Sequence, residues 1–333
     1  MSGRGRASWW LAGAGLSLAL VLLLIAQPGD VIALARSAGW AGIVAAFVGT
    51  GVAMLLRGAR LSLLANRRLG AWDATAVAAA SQLATGVLPA RLGEIAIVPL
   101  VRAAGMPGTI RALSLVVVMR VLDVSAVLIW TAVGAAALGR RPSVAVGAFA
   151  ALALLVALAW ILGVRGLRWL GSRWRNRRGW RRSVLLQLLR VRRELVLLAR
   201  DPARASAGLL LSVVLWGVIW GVTVTLLKSM ALSWPPVFVL LGVVGAAFGS
   251  SLPVNAAGNF GTQEAGWAAA LAAVGVAPRS ALAAGFACHV WGLLFTFVYG
   301  AGALAYLAAS RSRTPWSPFL ARLRTLLSSG REQ

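Results

Sequence analysis

The chain has 333 residues, 60% of them hydrophobic, with a mean hydropathy of +0.84 and only 12% charged. Thirty-three basic residues against eight acidic ones give a net charge of +25. A charged share near half of the ~25% typical of soluble domains excludes an ordinary soluble enzyme, a disordered chain and a free nucleic-acid binder.

Apolar stretches follow one another at 8–26, 38–56, 72–89, 94–104, 110–138, 143–163, 206–227, 234–252, 262–274 and 281–308. The longer ones reach the ~20 residues that cross a bilayer as a helix. Their Ala/Leu/Gly composition lacks the alternation of a barrel strand. The expected fold class is therefore an all-α integral membrane protein, a polytopic helical bundle of about eight helical elements. The first stretch, led by Arg4 and Arg6, has the outline of a signal peptide, but no clear small-x-small site precedes Gln27-Pro28, so it is read as the first helix.

The basic residues sort by side. Arg4 and Arg6, then Arg57, Arg60, Arg67 and Arg68, then Arg91, Arg102 and Arg111, thirteen arginines between 165 and 204, and five between 311 and 331 fall on one side. Arg36, Arg140, Arg141, Lys228 and Arg279 fall on the other, and Arg120 lies within a span. The positive-inside rule makes the large set cytoplasmic. The pair 72–89 and 94–104 then has cytoplasm at both ends, and 234–252 with 262–274 has the outside at both ends. Each pair is expected to be a re-entrant hairpin, the two opposed, among six full crossings. The protein is expected in the cytoplasmic (inner) membrane, with both termini cytoplasmic. The division is a cytoplasmic N-terminus at 1–7, a transmembrane domain at 8–308 and a basic tail at 309–333. The basic cytoplasmic loop 165–204 is expected on the anionic leaflet, at ~1 kcal/mol per basic residue.

The two hairpins share a pattern. The first reads Leu88-Pro89-Ala90-Arg91-Leu92-Gly93-Glu94, and the second Leu252-Pro253, then Gly258-Asn259-Phe260-Gly261-Thr262-Gln263-Glu264. After each Glu come a Gly, a Pro, a basic residue and Ala-Leu, and then Arg120 or His289 within a long helix. Opposite entry sides and matched sequence suggest an inverted repeat, a transporter architecture with broken helices near the midplane. Pro89, Gly93, Pro253, Gly258 and Gly261 are the expected breaks.

Charge within apolar sequence is costly and usually faces a partner, water or the bundle interior. Arg91, Glu94, Arg120, Asp123 and Glu264 are therefore candidate substrate-binding residues around a polar cavity. Arginine suits phosphate because its planar fork donates paired hydrogen bonds. Asp123 lies three residues after Arg120 and can neutralise it. His289 is a further candidate, although a lone His on an apolar helix is more often a packing residue. No metal-ligand spacing, phosphate loop or catalytic motif is found, so no cofactor, metal or catalytic residue is expected.

In the combination P-x-R-x-G-E, R-x-x-D and P…G-x-G-x-x-E, the chain resembles the transmembrane portion of the lysylphosphatidylglycerol synthase/flippase family, over roughly residues 10–308. Gln263 stands where relatives often have Arg, and no soluble aminoacyl-transfer domain is expected. The resemblance implies a stand-alone protein that moves or handles lipids with anionic or phosphate headgroups, with Arg91, Glu94, Arg120, Asp123 and Glu264 as its polar residues. Two alternatives stay open: a membrane enzyme, or enzyme subunit, of glycolipid synthesis using Glu94 or Glu264 as acid/base, and a structural partner in an envelope-synthesis complex. Nucleic acid is not an expected partner.

Overall fold

A computed structural model describes residues 3–66, 68–88, 92–105, 109–139, 189, 192–193, 196–197, 200–251 and 257–310. Their regular structure is helical: α1 (Gly3–Ala26), α2 (Pro28–Arg36), α3 (Trp40–Leu64), α4 (Ala71–Val87), α5 (Leu92–Ala103), α6 (Thr109–Ala137), α7 (Pro202–Ser229), α8 (Pro236–Ser250), α9 (Thr262–Ala272) and α10 (Pro278–Ala309). Four segments are long and apolar enough to cross a membrane: α3, Ala112–Ala137 of α6, α7 and α10. A fifth span results if α1 and α2, bent by 75° at Gln27, are taken together. The protein is thus a multi-pass helical membrane protein. The expected crossing at 143–163, most of the loop 165–204, and the tail beyond 310 lie outside the described residues.

Helix ends follow local chemistry. Asp201 caps α7 by accepting the Arg204 N–H at 3.0 Å, with Pro202 in the first turn. Pro28, Pro236 and Pro278 likewise open α2, α8 and α10, where a missing N–H costs nothing. One boundary differs from expectation. The sequence has Arg57 and Arg60 following an apolar stretch that ends at 56, whereas α3 runs on to Leu64. A partner on α6 removes the need of Arg60 for water, so the helix continues through it.

The remaining helices, α4, α5, α8 and α9, have 17, 12, 15 and 11 residues, below the ~20 needed to span. They form two antiparallel pairs. In α8–α9 the backbones nearly touch: a Cβ on Gly249 would lie 1.9 Å from the Thr262 carbonyl oxygen, and one on Gly245 2.3 Å from that of Gly266. In α4–α5 a Cβ on Gly93 would lie 2.2 Å from the Thr85 Cα. Gly249→Val is accordingly expected to destabilise the protein by about 1–3 kcal/mol. This is measured as a lower unfolding temperature in detergent, with Gly302→Val, which meets open space, as the unaffected control.

Contacts along the long helices fix where the pairs sit. α7 runs antiparallel to α3, with Ser229 beside Gly42 and Val222 beside Gly49. α10 runs antiparallel to α4, with Tyr306 reaching Asp73 at 3.4 Å and Leu293 beside Gly86. The α4–α5 pair is therefore based at the end of the bundle where α3 finishes. The α8–α9 pair is joined to Ser229 and Pro278 by short connections and is based at the other end. Gly258 lies beside the Gly86 carbonyl: a Cβ on it would sit 3.5 Å from that oxygen. The apolar core divides accordingly. One cluster, with Leu61, Val77, Val101 and Leu115, surrounds α4–α5. Another, with Val239, Trp267, Leu271 and Phe286, surrounds α8–α9.

Candidate functional site: a polar cavity where the helix pairs meet

Between these clusters lies a cavity of about 340 Å³, within the ~300–1,000 Å³ usual for ligand sites. Its charged lining comes from Arg57 of α3, Arg120 and Asp123 of α6, Glu264 of α9 and His289 of α10. A smaller cavity of about 70 Å³ continues toward α4–α5 and is bordered by Arg57, Gln82, Thr85, Arg120 and Asp123 as well. Those five residues form the wall between the two spaces.

Asp123 is held by a partner that sequence spacing missed. Arg60 Nη1 donates to Asp123 Oδ1 and Arg60 Nη2 to Oδ2 at 3.2 Å, while Trp216 Nε1 approaches Oδ1 at 3.3 Å. Arg60 also donates to the Ser212 hydroxyl at 2.7 Å. With Arg60 3% exposed, this is a buried, two-pronged ion pair tying α3, α6 and α7 together. Paired charges of this kind avoid the several kcal/mol per ion that desolvation otherwise costs.

Glu264 occupies the third position of α9. Gly261 precedes it at φ 105°, a backbone conformation that side-chain-bearing residues rarely adopt. That turn lets the Glu264 carboxylate accept the Gly261 N–H at 2.7 Å, the acid's half of a capping box. Its other oxygen meets His289 Nδ1. Glu264 is 1% exposed, and the His289 ring packs against Phe260 with centroids 4.5 Å apart.

Of the residues singled out by sequence, the structure brings Arg120, Asp123, Glu264 and His289 to one cavity, whose lining also includes Gly258. Gly261 forms the turn before α9. Glu94 falls in the first turn of α5 and Gly93 packs on Thr85. Pro89, Arg91 and Pro253 lie outside the described residues. Arg57 and Arg60 are the residues missed, because an arginine that follows an apolar stretch reads as a cytoplasmic flanking charge. The available signal was spacing: Arg57, Arg60 and Leu64 continue the face of an apolar helix. Among the described residues no cluster of three or more His, Cys, Asp or Glu could hold a metal ion.

A helical membrane protein with a charged cavity between two short helix pairs is the class that this fold and site define. Residues 10–300 match the family described as the lysylphosphatidylglycerol synthase TM region. The chain belongs to that family, and is thereby a lipid-related membrane protein. No curated protein and no solved structure matches it.

Proposed function

We propose that the protein is a lipid translocase of the cytoplasmic membrane, in which an anionic or phosphate headgroup passes through the polar cavity while the acyl chains stay in the bilayer. The observation that carries this reading is the convergence of Arg57, Arg120, Asp123, Glu264 and His289 on one cavity where the two short helix pairs adjoin. Intramembrane charges facing a shared cavity commonly mark substrate paths. The two pairs act as opposed re-entrant hairpins of an inverted repeat, the arrangement in which irregular backbone at membrane depth lines a wet space. Positive-inside topology sets the α4–α5 base, with Arg68, Arg102 and Arg204 nearby, in the cytoplasm.

The test is headgroup exposure of fluorescent phospholipid in proteoliposomes. Wild type is expected to accelerate it, and Arg120→Ala to slow it roughly tenfold, as the loss of a charge-assisted contact would. Equal rates in the two would overturn the reading. The Glu264–His289 contact favours one alternative, an enzyme using Glu264 as acid/base on a membrane glycolipid. That alternative requires a covalently altered lipid in mass spectra of reconstituted material.

A further inference from the structure

The unusual group in this cavity is Arg57. Its Nε is buried without a hydrogen-bond partner, and no hydrogen bond or ion pair joins Arg57 to any described residue. Burying an unpaired charge is expensive. Neither acid described at the cavity makes a hydrogen bond to it. Both Asp123 oxygens accept from Arg60, with Trp216 added on one of them. Glu264 is committed to Gly261 and His289. The Arg60–Asp123 pair thus works as a neutral, rigid backing that leaves the neighbouring guanidinium its full donor capacity.

Position adds a second, independent observation. Arg57 borders both cavities, together with Gln82 of the adjoining α4, whose amide can also donate. The smaller space, about 70 Å³, falls well below the ~300 Å³ typical of a ligand site. Only the larger space has room for a headgroup, and Arg57 stands at its wall with the smaller one. We infer that Arg57 is the residue that grips the phosphate oxyanion at the boundary between the two cavities, and so sets selectivity for phosphate-bearing over phosphate-free lipids. This rests on the lipid reading above and names the group that reads the headgroup.

The experiment uses the full chain purified in a neutral maltoside detergent. Binding of phosphatidylglycerol, of phosphate-free galactosyl diacylglycerol and of inorganic phosphate is measured by native mass spectrometry and by ligand-induced thermal shift. Wild type is expected to prefer phosphatidylglycerol over the galactolipid by roughly tenfold, the scale of one charge-assisted hydrogen bond. Arg57→Gln is expected to reduce the preference to under about twofold, and Arg57→Lys, which keeps the charge but not the fork, to leave it intermediate. Arg279→Gln, on the exposed surface, is expected to behave as wild type. Unliganded Arg57→Gln is expected to melt no lower than wild type, since no hydrogen bond or ion pair is lost; a purely structural arginine would lower it. Preference retained in Arg57→Gln overturns the assignment while leaving the lipid reading intact. No preference in wild type overturns the lipid reading itself. Inorganic phosphate binding as tightly as the lipid, and lost in Arg57→Gln, supports the oxyanion grip and overturns the lipid as its source.

Discussion

Asp123→Ala is expected to lower stability by about 3–5 kcal/mol, the cost of leaving a buried charge without its counterpart. Arg60 is 3% exposed and makes its two carboxylate hydrogen bonds to Asp123 alone, keeping only the Ser212 hydroxyl once that carboxylate is gone. Its Nε is already buried without a partner, so nothing nearby takes up the slack. The double variant Arg60→Met/Asp123→Ala is expected to recover most of the loss, because the desolvation cost disappears along with the attraction. Unfolding of the three variants in detergent, followed by tryptophan fluorescence, decides the matter. A double variant as unstable as Asp123→Ala would show that the pair is not the source of the effect.

Glu264→Ala comes next, at about 1–3 kcal/mol for stranding a buried donor. The variant removes the acceptor of the Gly261 N–H and the contact to His289 together. Glu264→Gln retains an oxygen for the cap and is expected to restore most of the stability. Hydrogen exchange separates the two substitutions: the Gly261 amide is expected to lose protection in Glu264→Ala and keep it in Glu264→Gln. Equal protection in both would mean that the carboxylate does not hold this turn.

What the sequence revealed and what it concealed divide along a physical line. Apolar length and composition marked the helices other than α2, which falls between the stretches 8–26 and 38–56, and Pro28, Pro236 and Pro278 stand where helices begin. Glu264 could be placed in a first helical turn because Gly258 and Gly261 precede it, and the structure has it there. These are local properties. Arg60 and Asp123 are 63 residues apart, and no periodicity joins two helices. Sequence spacing assigned Asp123 to Arg120, the only basic neighbour a single helix could offer. The same blindness ended α3 at 56: a charge inside a span needs a partner or a polar cavity, and both were out of view. His289 looked like a packing residue because its counterpart, Glu264, is also remote in sequence.

One aromatic ring governs where the acid of α9 ends up. Trp267 fits between Gly242 of α8 and Gly285 of α10, and its indole N–H donates to the Ala281 carbonyl at 2.8 Å. Ala281, Gly285 and His289 succeed one another at four-residue intervals along α10, as Glu264 and Trp267 do at three along α9. The indole is therefore a depth gauge. Sliding α9 by one helical turn, ~5.4 Å, would drive the ring against a side chain instead of a glycine and carry the carboxylate past its imidazole. An uncharged residue a turn away thus sets the level in the membrane at which the ionisable ones meet.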